Sequence, residues 1–183
     1  MNRLKLMALS LPLLLCCCHR PQYRIEGTVT AGVADGQKVY LVPMEGANRS
    51  NVDSTYAHQG KFVFEGDTER VSIIRLPIYQ RLQAQDLLVV TEPGTIRVHL
   101  DANSTTGGTP QNDQMQRWKD AVIRRNTAYA RYRQADNRHA PADSVALFRR
   151  QSDLADSAFH QLTRKIIGTS AGTTIARFLK GYL

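Results

Sequence analysis

With 183 residues, 42% of them hydrophobic and 22% charged, the chain has apolar content for one ordinary domain plus a helical appendage, which excludes disorder as its general character. The formal net charge is +8, and all three cysteines, Cys16, Cys17 and Cys18, stand side by side. That cysteine usage excludes an intramolecular disulfide framework, a C-x-x-C redox centre and a thiolate zinc site within these residues.

Residues 1–17 read as a signal peptide. Arg3 and Lys5 supply a positive start and residues 6–15 an apolar run, about half of the roughly 20 residues that a membrane-spanning helix needs. The run ends in Leu15-Cys16-Cys17-Cys18, which resembles the lipobox of bacterial lipoproteins, an apolar residue three before and a small residue just before the acylated cysteine. Cys18 fits best, with Leu15 and Cys17 in those places, and Cys17 is the alternative, with Leu14 and Cys16. An ordinary secretory peptide with incidental cysteines is the competing account. Residues 18–22 then form a short lipidated tether. They lack the acidic cluster that resembles a surface-export signal, so the lipobox implies a cell-envelope protein anchored to a membrane and facing the periplasm. Each buried methylene of the lipid contributes about 0.8 kcal/mol, and two or more chains give stable attachment.

Residues 23–30 alternate Ile25, Gly27 and Val29 with Arg24, Glu26 and Thr28, which predicts a first strand. Asp35-Gly36 makes a turn, and Val39 and Leu41 belong to a second strand that Pro43 ends. Residues 53–66 read as an antiparallel hairpin with its tip at Gly60, after which Phe62 and Phe64 alternate with polar neighbours. Further strands are predicted at 71–76, 86–91 and 95–101, the last two joined by a Glu92-Pro93-Gly94 turn. The expected class is α+β, an antiparallel β-sandwich of about seven or eight strands over 23–108, followed by two to three helices over 109–183.

The period changes at Gly107-Gly108. Thr109 can cap and Pro110 suits the first position of a helix whose apolar stripe is Met115, Trp118, Val122, Tyr129 and Tyr132, with Arg125 interrupting it. Residues 136–141 break that helix. Asp143 or Ser144 can cap a second one with Leu147, Leu154, Ala158, Phe159, Leu162 and Ile166 on its apolar face, closed by Gly168. A third segment from Ser170 places Ile175, Phe178, Leu179 and Tyr182 on one side. Its apolar ending at Leu183 predicts that the natural chain continues or that its partner surface lies elsewhere.

Without Arg3 and Lys5 the exported chain keeps a net charge of +6, and the excess is wholly C-terminal: residues 18–108 carry nine Lys or Arg against ten Asp or Glu, residues 109–183 thirteen against six. Arg117, Lys119, Arg124, Arg125, Arg131 and Arg133, interleaved with aromatics, form a candidate basic contact face. Export argues against nucleic acid as its partner and leaves anionic lipid, an acidic partner or plain solvation. Asp53, Ser54 and His58 supply the residue types of a hydrolase triad, but neighbours on a strand point to opposite faces, so turn and strand-edge hydrogen bonding is the better account. His19, His58, His99, His139 and His160 show no metal-ligand spacing. Gly107-Gly108-Thr109 before a helix has the form of an anion cradle, though a strand-to-helix linker explains it as well. No catalytic residue, metal or cofactor is expected in these residues.

Val52-Asp53-Ser54-Thr55, then Gly60-Lys61-Phe62-Val63-Phe64-Glu65-Gly66, Gly94-Thr95-Ile96-Arg97-Val98 and Gly108-Thr109-Pro110-Gln111-Asn112-Asp113 resemble, in that order, the N-terminal domain of unknown function of Bacteroidetes cell-envelope lipoproteins. The resemblance covers roughly residues 23–118. In that family a β-sandwich and helices often precede a thioredoxin-like domain of the thiol-disulfide oxidoreductase and peroxiredoxin-like class. No such domain and no C-x-x-C is present in these residues, so no redox residue carries over. The resemblance implies a non-catalytic, membrane-anchored module that positions or docks a thioredoxin-like domain; the alternative is a stand-alone envelope lipoprotein binding a ligand or partner through its sandwich or its basic helical face.

Overall fold

The structure is a computed structural model that describes residues 22–30, 35–80 and 82–183. The signal peptide, both candidate acylated cysteines, the tether up to residue 21 and His19 lie outside the described residues. The strands are β1 (Tyr23–Val29), β2 (Gln37–Pro43), β3 (Asp53–Ala57), β4 (Lys61–Gly66), β5 (Val71–Arg75), β6 (Leu87–Val90), β7 (Gly94–Leu100) and β8 (Thr105–Gly107); the helices are α1 (Pro110–Asn137), α2 (Ala142–Thr169) and α3 (Thr174–Leu179). The α+β order expected from periodicity is the one observed.

The strands make two four-stranded sheets, ordered β4-β1-β7-β8 and β3-β2-β5-β6. Alternation decides what lies between them. β1 buries Tyr23, Ile25, Gly27 and Val29 and exposes Arg24, Glu26 and Thr28, and β4 buries Phe62 and Phe64. Against them the other sheet presents Val39, Leu41, Ile74, Leu87 and Val89 in one continuous apolar core. Gly27 is opposite Phe62 in the register, and the Phe62 ring lies flat on the space a side chain would take.

Three details depart from the expected sandwich. The segment 53–66 is not a hairpin within one sheet. Gln59 (φ 50°) and Gly60 (φ 71°) form the tight turn, and His58 and Lys61 exchange both backbone hydrogen bonds, but β3 then pairs with β2 and β4 with β1. The turn is therefore a crossing between layers, and the chemistry of a two-residue turn is the same whether its strands stay paired or part. β1 runs parallel to β7, Tyr23 opposite Gly94, while every other strand pair is antiparallel. β8, three residues long, was not expected; it pairs with Arg97, Val98 and His99 and brings the chain back beside the start of β7.

α1 begins at the same end of the sandwich as Tyr23 and runs along the side where β6 and β8 are edges. The Thr106 N–H donates to Gln116 Oε1 (2.9 Å), and the Lys119 ammonium donates to the Ser104 carbonyl at the opposite end. At 1.5 Å per residue the remaining turns of α1 extend roughly 27 Å past the β7–β8 turn. α2 returns antiparallel to it. Met115, Trp118, Ala121, Phe159, Ile166, Ile175 and Leu179 form a second core where the three helices meet Val90 of the sandwich.

The helix faces differ from expectation in proportion to their distance from the sheet. On α1, Met115 and Trp118 are buried while Tyr129 is 56% exposed. On α2, Ser152, Phe159, Thr163 and Ile166 are buried, whereas Leu147, Leu154 and Ala158, expected on the apolar face, are exposed. Beyond the sheet each helix has only the other to pack on, and two helices bury one narrow seam apiece. α2 starts after Pro141 with no side-chain cap from Asp143 or Ser144, and it runs through Gly168 to Thr169 rather than stopping there.

Candidate functional site

Three places collect the residues singled out by sequence. The first is the joint between sandwich and helices. The residues of Glu92-Pro93-Gly94 and of Gly108-Thr109-Pro110-Gln111-Asn112-Asp113, far apart in sequence, converge there. Glu92, 7% exposed, turns one carboxylate oxygen onto the first turn of α1, accepting from the N–H groups of Gln111 (2.7 Å) and Asn112 (3.1 Å). A helix N-terminus presents unpaired N–H groups and a partial positive charge, and a carboxylate answers both. Thr109 makes no side-chain cap to the backbone; its hydroxyl oxygen accepts instead from the Asn112 side chain (2.9 Å).

Asn112 is fully buried and works as a piece of strand. Its amide oxygen accepts from Val90 N–H (3.0 Å) and its amide nitrogen donates to Val90 C=O (2.7 Å), so the side chain satisfies the free edge of β6. Asp113 Oδ1 accepts from Gly108 N–H (3.0 Å), and Gly108 itself (φ +90°) lies where a Cβ would be 2.8 Å from the Thr95 carbonyl. The anion cradle read at Gly107-Gly108-Thr109 is thus filled by the protein's own Glu92 and Asp113. The linker account is the one observed.

The joint continues outward through Glu69. Its carboxylate accepts from Gln111 Nε2 (2.9 Å) and Thr174 Oγ1 (2.6 Å), and Gln111 Oε1 accepts from Ile175 N–H (2.9 Å), which ties the β4–β5 loop, α1 and α3 together. The hydrogen bonds from Gln111 and Thr174, with help from the Arg177 charge and against the pull of partial burial, hold the Glu69 carboxyl below the usual glutamate value of 4.5. A depressed carboxylate stabilises the fold above its unfolded pKa, and that contribution is lost as the pH falls through the folded value. In thermal melts the native chain should therefore lose its advantage over the Glu69→Gln variant, a mimic of the protonated carboxyl, as the pH falls below about 4.5. A difference in melting temperature that stays constant from pH 6 to pH 3 would contradict this.

The second place is Asp53, Ser54 and His58. Asp53 Oδ1 accepts from the Ser54 N–H (2.7 Å), and His58 sits in the turn at the other end of β3, about 13 Å along the strand from Ser54. The three are not brought together. His99 Nδ1 meets Thr28 Oγ1 (2.7 Å), and His160 Nε2 lies 3.7 Å from Asp156. Among the described residues no group of three His, Cys, Asp or Glu could hold a metal ion.

The third is the basic face, and it divides. Arg117, Arg124 and Arg131 follow one another at seven-residue spacing, which drifts only about 20° per step on a helix. All three are exposed and, with Arg138, make no ion pair among the described residues. Arg125 turns the other way: its Nε donates to Asp156 Oδ1 (2.6 Å) and its guanidinium lies 4.9 Å from the centre of the Phe159 ring, joining α1 to α2. Arg133 lies 3.5 Å from Asp136. Lys119 is spent on the β7–β8 turn, and its burial there pushes the ammonium pKa down, with Asp120 and Asp101 opposing. Beside the free stripe Ala158 of α2 lines a shallow cleft of about 240 Å³ with Arg124 and Ala121, while Leu147 and Leu154 stand exposed on the side of α2 turned away from the buried Ser152 and Phe159, which sequence reading missed. The seven-residue step from Leu147 to Leu154 was visible, but nothing local says that it stays uncovered.

No helix among the described residues is long and apolar enough to cross a membrane. Neither the curated proteins nor the solved structures yielded a match to the chain. The family described as a domain of unknown function, DUF4369, matches residues 23–115, just over half of the chain, and the chain belongs to that family. The matched span takes in the sandwich and ends on Met115, one turn past the Glu92–Asn112 joint.

Proposed function

We propose that the chain is a non-catalytic module of the cell envelope, held to a membrane by lipid on Cys18, or failing that Cys17, and serving to position or dock a thioredoxin-like domain. The observation that carries the module reading is where the polar residues of the family-like motifs go. Glu92, Gln111, Asn112 and Asp113 each bind backbone or one another, fixing the angle between sandwich and helices rather than facing an open pocket. Such residues build a rigid spacer. The anchoring half draws its support from the leader, where the ten-residue run 6–15, apolar but for Ser10, hands over to Cys16-Cys17-Cys18.

A stand-alone lipoprotein that binds a partner through its helices is the second reading, favoured by the exposed arginines of α1 that make no ion pair among the described residues. Both readings share the anchor. Cells fed a fatty-acid analogue should label the wild-type protein and leave Cys18→Ala unlabelled, with the protein moving to the soluble fraction. Label that persists in Cys18→Ala moves the lipid to Cys17, and absence of label from the wild type overturns the anchoring.

A further inference from the structure

Beyond the sandwich the α1–α2 hairpin has two open sides, and they differ in charge. One carries Arg124 and Arg131, without an ion pair among the described residues. The other is a cleft of about 500 Å³ lined by Arg125, Tyr129 and Tyr132 of α1 and by Arg149, Asp153 and Asp156 of α2, so that its charges balance. Arg125 and Asp156 are spent on each other (2.6 Å). Arg149 and Asp153, both exposed, make no ion pair among the described residues, and a cation four residues before an anion is the weaker order on a helix. Tyr129 is 56% exposed, its ring 6.3 Å from that of Tyr132. Tyrosine and arginine are the side chains that most often anchor the centre of an interface.

The Arg125–Asp156 contact also fixes which levels of the two antiparallel helices lie side by side. About five residues on from Arg125 is the midpoint of Tyr129 and Tyr132, and about five back from Asp156 is the midpoint of Arg149 and Asp153. Both midpoints therefore share one level. It falls about two residues from halfway between Lys119, at the end of the sandwich, and Arg138 at the hairpin tip.

We propose that this side is the interface for a second copy of the chain, the two hairpins packing antiparallel about a two-fold axis at that level into a four-helix bundle with the sandwiches at opposite ends. The inference goes beyond the module reading and rests neither on lipidation nor on a thioredoxin-like domain. Self-complementarity selects the occupant. A two-fold contact sets residue i against j and j against i, so Arg149 meets the partner's Asp153 and Tyr129 meets the partner's Tyr132. A charge-balanced surface draws neither an acidic nor a basic partner by its sign, yet it meets its own copy with opposite charges opposed. The other open side would set arginine against arginine. The length fits as well. A partner reversed about that level brings its hairpin tip opposite Ile123, short of the β7–β8 turn that Lys119 holds. Two helices about 10 Å wide over roughly 27 Å give a footprint of about 500 Å² per copy and about 1,000 Å² in all, the lower bound of a specific interface, so the dimer is weak. With the two-fold axis normal to a membrane, the Tyr23 ends of both copies stand alike to it, and dimer and anchor are compatible.

Sedimentation equilibrium of the full chain in a density-matched non-ionic detergent should show monomer and dimer with a dissociation constant on the order of 10 μM. Arg149→Asp and Asp153→Arg, both at exposed positions, should each weaken the dimer by about tenfold or more with an unchanged circular dichroism spectrum, because each sets like charges opposite at two places. Arg149→Asp/Asp153→Arg restores the complement and should dimerise as the wild type does. The two single variants, mixed, should pair with each other better than either pairs with itself. A wild type still monomeric at about 200 μM overturns the proposal, as does a dimer that both single variants keep. Failure of the double variant or of the mixture to recover the dimer overturns it too. So does growth to masses above the dimer, the mark of a contact that does not close on itself.

Discussion

Asn112→Ala should cost about 3 kcal/mol of folding stability, read by urea denaturation with Trp118, the chain's single tryptophan, as the probe. The side chain is fully buried, and its amide exchanges two hydrogen bonds with the N–H and C=O of Val90 at the open edge of β6. Alanine leaves the Val90 N–H dry and unpaired, at roughly 1–3 kcal/mol, strips Val90 C=O down to its bond from the Glu92 N–H (2.8 Å), and takes the amide from the Thr106 and Thr109 hydroxyls. Asn112→Asp is the sharper variant. A carboxylate still accepts from Val90 N–H but gives nothing to Val90 C=O, and it stands beside Glu92 Oε1, 3.4 Å from the present amide nitrogen. Asn112→Asp should therefore be no better than alanine at neutral pH. Were it as stable as the wild type, the amide would not be acting as a surrogate strand. Trp118 is well placed to report, because its ring packs against Phe159, Phe178 and Tyr182 in the core just beyond that joint.

Gly27→Ala should destabilise by about 2 kcal/mol, although it adds one methyl group to the middle of a strand. The new Cβ would fall 2.0 Å from the Phe62 ring, so either the ring leaves its site or the β1–β4 pair separates. Overpacking has a signature that a propensity effect lacks. The double variant Gly27→Ala/Phe62→Leu should be less destabilised than the sum of the two single changes, since the shorter side chain vacates the contested space. Additive losses would mean that Gly27 matters for its backbone and not for the ring it accommodates.

How much of this was readable beforehand depends on whether a feature is local. Strands β1, β4 and β7 declare themselves by alternation, and the break, expected at 136–141 and observed at 138–141, by its composition. Sheet membership does not. Gln59-Gly60 is good turn chemistry, but whether β3 and β4 stay together is decided by competition from β2, the strand just before β3, and from β1, whose residues lie more than 30 positions from their partners on β4. The same holds for the capping of α1. Thr109 is a sound local candidate, and it lost to Glu92, which the fold delivers from another loop. Pro110 as first residue, by contrast, is local and was right. In the basic face the sequence held a usable hint: Arg125 interrupts an apolar stripe, and a cation in that place has to be bridged inward, as it is to Asp156 and Phe159. Leu147 and Leu154 gave the opposite difficulty. Their period is that of a buried face, and only the length of the hairpin beyond the sheet leaves them bare.

The place of β1 has a mechanical consequence. It is flanked on both sides, by β4 and by β7, along almost its whole length, and it is the first element after the N-terminal segment. A pull on residue 22 acts along the strand, across hydrogen bonds that lie at right angles or aslant to it, so that both rows are strained together and none can be opened singly. Tension entering from that end meets the molecule in shear, the direction in which a sheet yields last.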